Sequence, residues 1–313
     1  MRVRGVSLIA VLLVAASGCR GPSAAAPRPA AVPQRPPAGQ VVVESAPPVA
    51  ERRALDRVLR RYLRGRPGRA ALAVLDRTTG ARYSFGETKP FMLASVAKVD
   101  ILLAFLLGKQ GEPPTRYEHR LASRMIRESD NDCAHELYMT IGGQDALTGV
   151  LRRLGVRHTR PGPGLSWGST HSLPSDQVQV LDRLTDPGGP VPAAGRRYAL
   201  RLMSSVVPSQ AWGVSAAADG GAAALKNGWL PAHVHDGLWT VNSVGLLDVH
   251  GHEVLVAVLS ERSPDMRTGI ETVERLARLA VNTLTRRGAT VGVTGRGLPK
   301  ANSSTRRGAT AGV

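Results

Sequence analysis

The sequence is short of aromatic residues, cysteine and lysine, and each shortage excludes something. Phe, Tyr and Trp make up 4% of 313 residues, so there is no basic stripe interleaved with aromatics of the kind that binds single-stranded nucleic acid. Two cysteines, Cys19 and Cys133, cannot build a disulfide scaffold. No apolar run reaches the ~18 residues that cross a bilayer. The 34 glycines have no triplet period and no heptads are sustained, which excludes collagen and coiled coil. Lysine occurs only at Lys89, Lys98, Lys109, Lys226 and Lys300, and no Glu occurs between Glu136 and Glu253.

Against these shortages stands an excess of arginine, giving a net charge of +17. The charge is uneven. Residues 286–313 carry six cations and no acid, and residues 1–50 carry five Arg against Glu44. Taking the resulting +6 and +4 from +17 leaves +7 on residues 51–285, modest for that length. Arg replacing Lys throughout, with abundant Ala, Gly and Val, fits coding bias and a solvated surface. No nucleic-acid partner is expected.

The N-terminus reads as an address. Arg2 and Arg4 form a positive segment, Val6 to Ala16 is a short apolar one, and small residues precede Cys19. This is a secretory signal peptide over 1–18. Ala15-Ala16-Ser17-Gly18-Cys19 resembles a bacterial lipobox, with Ala16 where Leu is more usual. The resemblance implies cleavage before Cys19 and lipidation of its sulfur, anchoring the protein to the outer face of the cytoplasmic membrane. The alternative is simple secretion with Cys19 free. Residues 19–50, rich in Pro and Ala, read as a tether. Residues 286–313, in which Arg-Arg-Gly-Ala-Thr recurs, read as a disordered basic tail.

Residues 51–285 show the periodicities of one folded domain. Leu55, Val58, Leu59 and Tyr62 mark an amphipathic helix stopped by Gly65 and Pro67. Strand signals at 70–75 and 82–85 follow, then helical patterns near 96–108, 115–128, 132–140, 144–153, 174–184 and 195–206. Strand signals return at 223–225, 238–244 and 253–259, the last two joined through the turn Val249-His-Gly-His252, before a helix over 268–284. Strands and helices segregated in this order predict an α+β fold. An antiparallel sheet flanked by the terminal helices, with an inserted all-helical lobe, would leave a cleft between sheet and lobe.

Three short motifs carry chemistry. Ser95-Val-Ala-Lys98 opens a helix, where i, i+3 spacing puts hydroxyl and amine on one face. A serine needs a base to become a nucleophile, and a desolvated lysine can be that base. The helix start also offers backbone N–H groups suited to an oxyanion. Ser129-Asp130-Asn131 lies between two helical patterns and, alone, reads most simply as an N-cap. Lys226-Asn227-Gly228 lies on a predicted strand. Two of the five lysines falling on such motifs makes coincidence unattractive.

In this order the motifs resemble the serine β-lactamase and penicillin-binding protein superfamily, and within it the class A β-lactamases. The resemblance covers roughly 51–285 and includes Ile141-Gly-Gly-Gln-Asp-Ala-Leu147. It implies Ser95 as acylated nucleophile, Lys98 as its base, Ser129 as proton donor to the leaving nitrogen and Lys226 as the cation facing a substrate carboxylate. It implies backbone N–H groups of Ser95 and Trp229 as the oxyanion hole, and Asn131, Asn227 and Gly228 as substrate-binding residues. The implied substrates are β-lactams or D-alanyl acyl compounds, taken by a monomer without cofactor or metal. The rival readings are a D-alanyl-D-alanine peptidase or esterase, and an envelope-binding module without turnover.

The sequence departs from that family where the acyl-enzyme is hydrolysed. Class A enzymes carry a loop Glu that activates water; here the stretch reads Pro161-Gly-Pro-Gly-Leu-Ser-Trp-Gly-Ser-Thr-His171. Asp176 reads as a first-turn dipole residue of the next helix, which also holds Asp182. His171 is a candidate substitute base. Only 34 residues separate Ser95 from Ser129, so the cleft rim should be more open. Asn227 and Trp229 replace smaller residues of the third motif, and no Arg lies on 238–244. The pairs His233/His235 and His250/His252 lack the further ligands of a zinc site. Cys133 reads as a small core residue.

Overall fold

The computed structural model describes residues 48–286. The expected signal peptide, Cys19 and the expected tail beyond residue 286 lie outside the described residues; of the expected tether only residues 48–50 are described, and Val49 and Ala50 open the first helix. Helix α1 (Val49–Arg64) leads into strands β1 (Arg69–Asp76) and β2 (Arg82–Phe85), then a two-residue strand β3 (Phe91–Met92). A helical block follows: α2 (Ala97–Gly108), α3 (Arg116–Arg127), α4 (Asn131–Thr140) and α5 (Gly143–Arg153). Strand β4 (His171–Ser172) precedes α6 (Pro174–Thr185) and α7 (Ala193–Met203), and β5 (Ala223–Pro231), β6 (Trp239–Val249), β7 (His252–Ser263) and α8 (Met266–Thr285) complete the order. The fold is α+β, as expected.

Among the described residues, five strands form one antiparallel sheet in the order β2-β1-β7-β6-β5. Strand alternation builds two cores from the same residues. In β7, Leu255, Ala257 and Leu259 pack with the helical lobe, whereas Val254, Val256 and Val258 pack with α1 and α8. β1 divides likewise, with Ala71, Ala73 and Leu75 on one side and Leu72 and Val74 on the other. Helices on both faces explain why β1 reads as an unbroken apolar run. Both terminal helices cover the same face, and the lobe covers the other.

The last three strands run longer than their sequence signals. β5 extends to Pro231, past the buried Lys226 and Asn227, and β6 holds the buried Asn242 and Ser243. Buried polar residues interrupt an apolar pattern without interrupting the ladder. The pair β3 and β4 is too short to leave a periodic signal, but it ties the segment before Ser95 to the 161–171 loop, with Met92 opposite His171. In the lobe, α2 is buried almost throughout, including Lys98 and Asp100. Helix α3 starts with a Thr115–Glu118 capping box, and α7 ends at Met203 rather than near 206.

Candidate active site

The nucleophile turn is assembled by long-range contacts at the entrance of α2. Ala94, just before Ser95, has φ +51°, a left-handed conformation uncommon for a residue with a Cβ. Its neighbours hold it there. Asn242 on β6 donates through Nδ2 to Met92 O at 2.8 Å and Leu93 O at 3.1 Å, and its Oδ1 accepts from Ser260 N at 2.9 Å. Leu93 N donates to Thr170 O at 2.8 Å. Strand β5 presses on the same turn: a Cβ on Gly228 would lie 2.6 Å from Val96 N and 2.8 Å from Ser95 N. Gly228 thus serves as the point where the sheet edge meets the nucleophile turn, a close approach only glycine allows.

Ser129, Asp130 and Asn131 divide two tasks between them. Asp130 is the N-cap of α4, accepting from Cys133 N at 2.8 Å. Ser129, at φ +60°, and Asn131 turn instead toward Lys98. Lys98 Nζ lies within hydrogen-bonding reach of four oxygens, more than its N–H groups can serve at once: Ser95 Oγ at 3.0 Å, Ser129 O at 2.6 Å, Ser129 Oγ at 3.2 Å and Asn131 Oδ1 at 2.8 Å. Lys226 Nζ reaches the same hydroxyl, Ser129 Oγ, at 3.0 Å and also Asn227 O at 2.8 Å. The three motifs therefore form one hydrogen-bonded chain: Ser95, Lys98, Ser129, Lys226.

Burial sets the electrostatics of that chain. Both lysines are removed from solvent. Desolvation pulls the Lys98 amine down to about 7, against a smaller opposing pull from the Asp130 carboxylate. Lys226 is lowered well below the ordinary lysine range, by burial first and by the Lys98 charge second. A lysine near 7 is largely neutral in mildly alkaline solution and has a lone pair to offer Ser95. With both amines directed at its two lone pairs, the Ser129 hydroxyl keeps its own proton free to donate.

The remaining expected site residues fare differently. Asn131 is exposed, leaving its amide N–H groups available beside the chain. The structure places Asn227 apart from the chain formed by Ser95, Lys98, Ser129 and Lys226. It is fully buried, and its Nδ2 donates to Gln210 O at 2.8 Å and Trp212 O at 2.9 Å. Successive strand residues face opposite ways, so with Lys226 toward Ser129, Asn227 points to the 210–213 segment. Trp229 follows on the sheet edge, its ring edge-on to Trp212 at 5.6 Å between centroids.

His171 is exposed, with Nδ1 at 2.8 Å from Ser169 O; no described hydrogen bond brings it to Ser95 or Lys98. Asp176 is more than a first-turn dipole residue. Its buried carboxylate accepts from His158 N at 2.6 Å and Thr159 Oγ1 at 3.0 Å, tying down the start of the loop. Asp182 pairs with Arg77 at 2.9 Å. The histidine pairs separate: His235 goes to Glu261 at 3.3 Å, His250 to Asp219 at 3.0 Å and His252 to Asp76 at 2.8 Å. Cys133 is buried, which pushes its thiol up.

The sequence reading missed two residues. Asn242 is one; nothing local marks it, since its partners lie 149 and 150 residues away. Trp167 is the other. It sits on a short 3-10 turn, Trp167–Ser169, with its ring centroid 4.9 Å from Lys98 Nζ. A tryptophan in a stretch of Gly, Pro, Ser and Thr was the available signal.

Comparison with known proteins bears on the family and the fold. The family model described as "Beta-lactamase enzyme family" matches residues 108–284. The protein named "Putative lipoprotein LppW" from Mycobacterium tuberculosis is 31% identical over 170 residues, covering 51% of this chain and 54% of that one; its Mycobacterium bovis counterpart matches equally. The chain thus spans about half the length of the curated relatives it matches. A β-lactamase from Chitinophaga pinensis superposes with a TM-score of 0.66 at 16% identity, over 74% of this chain and 100% of that one. A class A β-lactamase from Bacteroides cellulosilyticus gives 0.64 at 16% identity, over 75% and 98%. At such identities the structures speak for the fold alone.

Proposed function

The chain belongs to the β-lactamase enzyme family, and on that premise we propose that it is a serine acyl-transfer enzyme working through Ser95. The hydrogen-bonded chain from Ser95 through Lys98 and Ser129 to Lys226 carries this reading. Ser95 Oγ attacks the carbonyl carbon of the substrate while its proton passes to neutral Lys98 Nζ. The carbonyl oxygen takes the negative charge and rests on the backbone N–H groups of Ser95 and Trp229. As the carbonyl–nitrogen bond breaks, the departing nitrogen takes the Ser129 proton. Lys98, now carrying the Ser95 proton and 3.2 Å from Ser129 Oγ, returns a proton to that hydroxyl, Lys226 orients Ser129 from the other side, and Asn131 offers its amide to the acyl side. The product of this half-reaction is an ester on Ser95.

β-Lactams and D-alanyl acyl compounds are the substrate class, since both expose a carbonyl whose leaving group is a nitrogen. The loop offers no carboxylate to activate water, which favours a slowly released acyl group, as in penicillin-binding proteins. The kinship with a named lipoprotein and the lipobox-like segment support export and lipid anchoring at Cys19.

The test is intact-mass spectrometry of the protein after incubation with a penicillin and a cephalosporin. We expect one covalent adduct that maps to Ser95 and is absent in Ser95→Ala. Its rate of formation should rise with pH through about 7, as Lys98 loses its proton. A folded protein that takes no adduct from either drug, nor from an activated ester, would end this reading.

A further inference from the structure

Resting on that reading, we propose that Trp167 is a cover over Lys98 that keeps water from the amine and so makes the Ser95 acyl-enzyme long-lived. Hydrolysis of the ester needs water to attack the acyl carbonyl and hand a proton to a base. Ser95 Oγ then leaves and recovers a proton from that base. A general base must come within about 2.6–3.2 Å of the water it activates. No Asp or Glu occurs between Asp145 and Asp176, so the loop brings none, and Lys98 is the base at hand.

Lys98 has no open side. Ser95 Oγ, Ser129 O, Ser129 Oγ and Asn131 Oδ1 take up its polar directions. The Trp167 ring stands over it at 4.9 Å, and the lysine has no solvent exposure. An indole face gives a cation partial electrostatic compensation but offers water no hydrogen-bonding partner.

The ring is held in place by its loop. Thr170 Oγ1 donates to Trp167 O at 2.6 Å and accepts from Gly162 N at 3.3 Å. Ser169 N donates to Ser166 O at 2.8 Å, and Thr170 O accepts from Leu93 N at 2.8 Å, next to the nucleophile turn. A Cβ on Gly162 would run into Ser166 O, so the loop closes tightly on itself. Replacing the indole with a methyl group frees more than the ~30 Å³ a water occupies, beside polar groups that could hold one.

The experiment compares the full-length wild type with Trp167→Ala and Trp167→Phe, each checked for fold by its melting temperature. After acylation with benzylpenicillin and removal of excess drug, the adduct is followed by intact mass. We expect the Trp167→Ala adduct to decay at least tenfold faster than wild type, and the Trp167→Phe adduct within about threefold of it. An unchanged or longer lifetime in Trp167→Ala overturns the proposal. A second readout does not depend on acylation: carbamoylation of Lys98 Nζ by cyanate, located by peptide mass. It should be at least fivefold faster in Trp167→Ala at fixed pH, and an equal rate overturns the cover. If the wild type takes no adduct, the acyl-transfer reading falls and the cyanate comparison alone decides whether Trp167 shields the amine.

Discussion

At the scale of single residues, burial decides more than residue type does. Asp100 lies on α2, two residues past Lys98 and fully enclosed. Burial pushes its carboxyl up to about 8, with a smaller push from Asp176. Gln177 Nε2 donates to Asp100 Oδ1 at 3.3 Å, while Asp100 Oδ2 and Gln177 Oε1 are both buried without a partner. A proton on this carboxyl removes a charge that the enclosed site cannot solvate. The folded chain then holds a proton that the unfolded chain releases near pH 4, so this group's contribution to stability falls as pH rises from about 4 to about 8. Asp100→Asn keeps the size and an acceptor for Gln177 Nε2 without the titration. Its stability relative to wild type should improve by about 2–4 kcal/mol between pH 5 and pH 8, read from urea midpoints. A difference that does not change with pH would show that Asp100 is not held neutral.

At the scale of elements, the decisive contact is the edge of β5 against the turn before α2. The motif Lys226-Asn227-Gly228 uses strand alternation: the amine faces Ser129, the next side chain turns away, and the glycine lets the strand approach Ser95. Gly228→Ala would place a methyl group 2.5 Å from Leu93 O, among backbone atoms that cannot swing aside. We expect a loss of about 1–3 kcal/mol in stability and slower acylation, because Leu93–Val96 must shift. An unchanged urea midpoint together with an unchanged acylation rate would refute this account of the glycine.

At the scale of the molecule, one sheet serves two cores, and its strands transmit any loss in either. Leu255 on β7 faces the helical lobe, and Leu276 on α8 belongs to the opposite core; both are fully buried. Truncating either to Ala should cost about 2–5 kcal/mol. Because the same strands line both cores, each variant should lower the midpoint of one common urea transition. Two separate transitions in either variant would mean that lobe and sheet unfold independently.

How much of this was legible in advance follows from the range of the interactions. By itself the sequence determined the α+β order of elements and the three motifs, because helix and strand periodicities are local and Ser-x-x-Lys fixes its own geometry within one helical turn. It also marked Ser129-Asp130-Asn131 as a helix N-cap, since all three residue types accept well from a helix's first free N–H groups, while the structure assigned the cap to Asp130. It did not determine which face of β5 the 210–213 segment would cover, and so did not show that Asn227 would bond to Gln210 and Trp212. It left β3 and β4 unseen, since two residues make no period. Only the tertiary structure brought Asn242 to Leu93 and Trp167 to Lys98, and only burial shifted Lys98 and Asp100 from their ordinary ionisation. Those effects depend on what the rest of the chain places around a residue, which no local pattern encodes.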